Sequence, residues 1–185
     1  SYIEGGNVSF IAGSATGNCV FENITINSGV AATYNNGCGG IIGWSGAGNY
    51  TFKNIKLDAA TTIGGFQQSF DSSVGGIVGQ TATSTLVSAC AFEGVIEAGV
   101  EVGGIASISS ADDRFVNCHV VADIYGKGTI GGIIGSSDRS KVENCYIEGN
   151  IELVEAAKGG KVGGVIGAMG STLSDSVYAL VANNI

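Results

Sequence analysis

The chain has no proline, one histidine, one tryptophan and only two arginines, Arg114 and Arg139, in 185 residues. Charged residues make up 13%, about half the usual ~25%. The surface must therefore be built largely from Ser, Thr, Asn and Gly. Few Lys and Arg and a net charge of −8 exclude a nucleic-acid footprint, which needs clustered basic groups. The same balance excludes electrostatic docking on an anionic membrane. No apolar run approaches the ~20 residues of a spanning helix, so no membrane span is expected in this segment. The first residues lack a basic stretch followed by an apolar one, so no signal peptide is read there. Because the chain starts in mid-pattern, it is expected to be a piece of a larger repeat protein. No segment sustains a 3.6-residue period, which excludes a helical architecture. The cysteine count of five suits no disulfide framework.

What is abundant is glycine, at 32 residues, together with β-branched residues and a 44% hydrophobic content. This favours strands around a buried core. The glycines come in pairs inside a repeated segment: Cys38-Gly39-Gly40-Ile41-Ile42-Gly43, Val74-Gly75-Gly76-Ile77-Val78-Gly79, Val102-Gly103-Gly104-Ile105-Ala106-Ser107, Ile130-Gly131-Gly132-Ile133-Ile134-Gly135 and Val162-Gly163-Gly164-Val165-Ile166-Gly167. Val8-Ser9-Phe10-Ile11-Ala12-Gly13 reads as a degenerate first copy. Counted from residues 11, 41, 77, 105, 133 and 165, the spacings are 30, 36, 28, 28 and 32. The glycine pair fits either a tight backbone approach or a positive φ.

Each glycine segment is followed by a second one, beginning at Phe21, Phe52, Val87, Phe115, Val142 and Leu173. From its fourth residue onward it alternates with period two, as a half-buried strand does. Stacking the copies gives columns. The third position holds Asn23, Asn54, Ala89, Asn117, Asn144 and Asp175; the fourth holds Ile24, Ile55, Cys90, Cys118, Cys145 and Ser176. A column of like residues at one spot of every repeat is what a solenoid produces. The expected fold is therefore all-β: a parallel β-helix (β-solenoid), right-handed by base rate, of about six coils of 28–36 residues, with residues 1–185 as one segment. The corner asparagines are expected to hydrogen-bond between coils. Two adjacent apolar columns, Ile41/Ile77/Ile105/Ile133/Val165 and Ile42/Val78/Ala106/Ile134/Ile166, conflict with strand parity. Either a corner falls between them, which is favoured, or one is an exposed stripe.

The pairing of Val74-Gly75-Gly76-Ile77-Val78-Gly79 with a later Val142-Glu143-Asn144-Cys145-Tyr146 type of stretch resembles the GLUG repeat over nearly the whole chain. It departs in the first copy, which lacks the glycine pair, and in the last, which has Asp175-Ser176 in place of Asn-Cys. The resemblance implies a large bacterial surface protein, adhesin-like and extracellular or cell-surface. It brings no catalytic residues with it.

No catalytic, cofactor or metal site is expected from the residues themselves. Parallel side chains on stacked coils do not converge as zinc ligands must, so Cys90, Cys118 and Cys145 read as small buried apolar groups. A bond between Cys19 and Cys38 is left open. The acids and bases around Asp112, Asp113, Arg114, Asp138, Arg139 and Lys141 read as a surface salt-bridge ladder. Paired carboxylates of a polysaccharide-acting β-helix enzyme are the alternative. Asp58, Glu93 and Glu148 share an outward column, which would be solvated or bridged by calcium. His119 is placed outward. Contact with a glycan or a host-surface protein is assigned to Trp44, in a loop, and to Phe66 and Phe70, in an insertion around residues 64–72. End-to-end self-association is the remaining partner expectation.

Overall fold

The computed structural model describes residues 2–33, 37–64, 72–82, 84–97, 99–154, 159–170 and 180–182. Among them are strands and no helix, arranged as parallel sheets of eleven, five and six strands. The chain runs through the sheets in turn, each circuit adding one strand to the smaller sheets and, in the later circuits, two or three to the eleven-stranded one. The glycine sheet holds Gly37–Gly39, Ser73–Gly75, Glu101–Gly103, Thr129–Gly131 and Lys161–Gly163. The third sheet holds Ala12–Ala15, Ile42–Ser45, Val78–Gln80, Ala106–Ser109, Ile134–Ser137 and Ile166–Met169. The asparagine sheet includes the long strands Cys19–Thr33 and Tyr50–Gly64, and the pair Arg114–Val116 and His119–Gly126. Six levels of the third sheet enclose about five full turns, where about six coils were expected from the repeats.

The expected columns are met in register. Phe21 pairs with Phe52, Phe52 with Val87, Val87 with Phe115, and Phe115 with Val142. The degenerate first copy belongs to the series: Val8 bridges Cys38 and Ala12 pairs with Ile42. The sixth copy is displaced. Val181, not Leu173, lies opposite Val142, through the strand Leu180–Ala182. The segment from Leu173 with Asp175 and Ser176 lies outside the described residues.

Both apolar columns after the glycine pair are buried through Ile133 and Ile134, because a corner falls between them; Val165 and Ile166 at the last level are partly buried. The glycine-sheet strand ends at Gly103, the chain bends at Gly104 and Ile105, and the next strand opens at Ala106. Ile105 and Ala106 are both fully inaccessible, as are their counterparts Ile41 and Ile42. None of the residues of these pairs is at positive φ, so tight approach is the reason for glycine. A Cβ on Gly104 would overlap the carbonyl oxygen of Gly132 on the next coil and come within 2.8 Å of Val120 Cγ1. The same overlap with the next coil's glycine carbonyl occurs at Gly40, Gly76 and Gly132.

The asparagine corner is different. Asn23, Asn54, Asn117 and Asn144 have φ of 58, 52, 56 and 53°, the left-handed conformation that Asn tolerates. The expected cross-coil bond is present where Asn54 Nδ2 donates to Asn23 Oδ1 at 2.7 Å. Ala89 holds the same corner at φ 51° without an amide to ease it. This strain gives a direct expectation. Ala89→Asn should stabilise the chain by about 1 kcal/mol and Asn117→Ala should destabilise it comparably, read as opposite shifts of the urea midpoint at unchanged slope.

Candidate functional site

The third corner, between the third sheet and the asparagine sheet, carries two inward columns that are polar. One is Ser45, Thr81, Ser109 and Ser137; the other is Tyr50, Thr85, Asp113 and Ser140, and all eight are buried. A turning chain leaves backbone groups without ladder partners, and these side chains supply them. Ala82 N–H donates to Ser45 Oγ at 3.3 Å and Ser140 N–H to Ser137 Oγ at 3.2 Å. Tyr50 hydroxyl donates to the Ala15 carbonyl at 2.8 Å, and Ser109 and Ser140 hydroxyls bond one another. The sequence signal for this network was a polar residue two positions before each of Phe52, Val87, Phe115 and Val142, a parity that points inward.

Asp113 is the titratable member of the network, and it corrects the surface-ladder expectation. Its side chain is inaccessible to solvent. Its carboxylate accepts from Thr85 N–H and Ser110 N–H, both at 2.8 Å, and from the Thr81 hydroxyl. Burial pushes its pKa from 3.8 up to about 7, against the lowering effect of those donors. The sequence alone could not separate Asp113 from its exposed neighbour Asp112, which takes a φ of 68°. Around this corner, Arg114 pairs with Glu143 and Arg139 with Asp138, both at 3.5 Å. Exposed pairs of this kind contribute little to stability. A depression of about 510 Å³ lies over the corner, lined by Ser84, Ile108, Ser110, Asp112 and Asp138. Asp113 sits behind its wall, with its oxygens engaged by the coil itself.

The Cys90, Cys118 and Cys145 column is buried as expected, and all five cysteines are free, Cys19 and Cys38 included. The thiols have a role that a purely apolar reading missed. Cys118 Sγ donates to the Val87 carbonyl of the preceding coil at 3.6 Å, and Cys145 Sγ to the Phe115 carbonyl at 3.6 Å. Each thiol thus serves a carbonyl beside the left-handed corner, where a hydroxyl would also fit. Burial pushes the Cys38 thiol up to about 12 and Cys90 to about 11. Cys118 is raised first by its contact with Cys145 and then by burial.

The outward faces carry the exposed rings. Trp44 lies on the third-sheet strand Ile42–Ser45 and not in a loop; its neighbours in register are Ser14 and Gln80. It is 37% exposed. His119 is exposed on the asparagine sheet, edge-on to Tyr146 at 4.8 Å. Tyr146 hydroxyl donates to Glu148 at 2.7 Å, and this bond raises its pKa. In the acid column, Lys56 Nζ lies 3.0 Å from Asp58 and 3.2 Å from Glu93, so a lysine bridges two of the acids assigned to solvent or calcium. A shallow depression of about 350 Å³ on this face is lined by Val95, Val121, Asp123 and Glu148. Phe66 and Phe70 lie outside the described residues.

Comparison with known protein families, characterised proteins and solved structures finds no match for this chain. The GLUG resemblance therefore stands on the residues quoted for it.

Two expectations follow from this chemistry. Because the folded state holds the Asp113 proton more tightly than the unfolded chain, its contribution to stability is complete below about pH 4 and is lost as pH rises through about 7. That loss should be on the order of 2–4 kcal/mol in the wild-type chain. Glu97 and Glu101 are raised by burial in the same direction, so the pH slope removed in Asp113→Asn isolates this carboxyl. Urea titrations at stepped pH measure it. The second expectation concerns the thiols. A water-soluble maleimide should label the folded chain at partly exposed Cys19 alone, and all five cysteines after denaturation, by intact mass.

Proposed function

We propose that this chain is a non-catalytic adhesive or structural solenoid of a secreted or cell-surface protein, presenting flat strand faces to a glycan or a host-surface protein. The observation that carries the reading is the placement of the exposed rings. Trp44, between Ser14 and Gln80, and the His119–Tyr146 pair, bonded to Glu148, lie on regular sheet faces. A planar ring on a flat face suits the apolar side of a sugar, while the flanking polar groups serve its hydroxyls. The indole lies against Gly46, where a Cβ would come within 3.0 Å of Trp44 Cζ3, so the ring rests on the coil and its outer side is the one available. The GLUG resemblance supports the same setting, since that repeat belongs to stalks and adhesive regions of bacterial surface proteins.

A second reading is favoured by one observation: Asp112 and Asp138 line the corner depression, with Asp113 raised toward neutrality behind it. Carboxyls beside a groove, one of them raised by burial, are the parts a polysaccharide-acting hydrolase or lyase uses. The burial of Asp113 and the hydrogen bonds that hold its oxygens weigh against it.

A glycan array followed by titration tests the proposal. Binding of at least one glycan class is expected. Trp44→Ala or Tyr146→Ala should weaken it about tenfold, equivalent to ~1.4 kcal/mol, without changing the melting curve. Shortened or unsaturated products after incubation with acidic polysaccharides would support the enzyme reading instead.

A further inference from the structure

The asparagine sheet bends a second time after its asparagine corner, and a depression follows from the bend. Gly94 and Gly149 lie at φ of 142 and 123°. A Cβ on either would overlap a carbonyl oxygen of the preceding coil, that of Thr61 or of Ala122. Gly94 lies opposite Ala122. The bend therefore has a floor of Gly94, Ala122 and Gly149, almost without side chains. Val95, Val121, Asp123 and Glu148 stand around it and line the depression of about 350 Å³. Thr61, opposite Gly94 in the floor column, is inaccessible, and its hydroxyl has no hydrogen-bond partner among the described residues. It is a polar group that the coil itself leaves uncompleted. The His119 and Tyr146 rings stand one outward position before Val121 and Glu148 on the same strands.

The charge of this face is one-sided. After the asparagine corner, Asp58, Glu93, Glu97, Asp123, Glu148 and Glu152 take outward positions between buried core residues. Lys56 is engaged by Asp58 and Glu93. Among the described residues no cation pairs with Asp123, Glu148 or Glu152. Asp123 accepts from the Asn150 N–H at 3.4 Å and from Asn150 Nδ2 at 2.8 Å, and Glu148 accepts from the Tyr146 hydroxyl. Each carboxylate keeps lone pairs for a further donor. The outward column of the third sheet is different: Ser14, Trp44, Gln80, Ile108, Ser136 and Ala168 carry no charge. On the acidic face, Ala91–Glu97 and His119–Gly126 are bonded to neighbouring strands on both sides. An extended peptide therefore finds no main-chain partners there, and only side chains are presented.

We propose that this depression binds a cationic glycan, a chain of hexosamine units whose amino groups are free and protonated. Val95 and Val121 meet the apolar side of a sugar ring beside Tyr146. Asp123 and Glu148 accept charge-assisted hydrogen bonds from its ammonium groups. The acids farther along the face engage neighbouring units, so that several weak contacts act together. The same charge rejects glycans that carry carboxylate or sulfate. The inference rests on the glycan reading above and names the class of glycan that this face takes. A basic peptide would match the carboxylates, but the closed ladder offers its backbone nothing.

Calorimetric titration of the full chain with a fully deacetylated glucosamine hexamer and with its N-acetylated counterpart tests this. At about pH 5.5 ordinary Asp and Glu side chains are ionised, and the two probes share a backbone but differ in charge. The deacetylated hexamer should bind about tenfold more tightly or better, and added salt should erase the difference. Asp123→Asn combined with Glu148→Gln should remove the preference without moving the melting curve. Glu22→Gln, at an exposed acid before the asparagine corner, should keep it. Equal affinity for the two hexamers, or a preference that survives the double variant, overturns the inference and leaves the glycan reading standing. Binding of neither hexamer overturns it too, and the glycan reading then falls only if the glycan array is also blank. A lysine hexapeptide bound as tightly as the glucosamine hexamer overturns the choice of a glycan for this face.

Discussion

Each coil must bring its backbone within one strand spacing, about 4.8 Å, of the next all the way around, including at the corners. On the flat faces the ladder does this without demands on sequence. At a corner the Cβ of one coil and the carbonyl of its neighbour compete for the same space. The glycine pair resolves that competition at the first corner, which is why Gly40, Gly76, Gly104 and Gly132 each lie under the next coil's carbonyl. Once that approach is secured, the register of every other column follows, from the Phe21–Phe52 stack at 5.3 Å to the buried isoleucines after each pair.

Three of the corners meet the same constraint with different chemistry. The glycine corner removes the side chain. The asparagine corner turns through a left-handed residue and serves a neighbouring carbonyl with a thiol in the later coils. The third corner keeps its side chains and makes them polar, so that Ser, Thr, Tyr and Asp113 replace the missing ladder bonds. The energetic consequence is uneven. A steric corner is insensitive to pH, whereas a corner that buries a carboxyl without a cation bonded to it weakens as that carboxyl ionises.

The architecture was legible because the repeat is in the letters: glycine pairs at near-constant spacing and an alternating strand after each can hardly be satisfied except by stacking. The asparagine column was legible as a corner, and its left-handed backbone is the part that Ala89 obscured. The polar corner was not read, because Asp113 sits among Asp112, Arg114 and Asp138, and composition alone groups it with the surface. Trp44 was assigned to a loop because Ser45 and Gly46 follow it, yet the third-sheet ladder carries the strand through Ser45. The displaced last copy shows the limit of spacing arguments: Leu173 matched the apolar pattern, and only pairing to Val142 singled out Val181. Function was less legible, since most patterned residues serve the coil and leave few to report on a partner.

The second glycine of each pair is required by the coil that follows it. Urea unfolding of a Gly→Ala series at Gly40, Gly76, Gly104, Gly132 and Gly164, measured in dilute solution, tests it most directly. The four covered positions should each lose on the order of 2–4 kcal/mol, as overpacking against backbone does, and Gly164, where a Cβ meets nothing within 4 Å among the described residues, should be within about 0.5 kcal/mol of wild type. Equal losses at all five, or tolerance at the covered four, would contradict it.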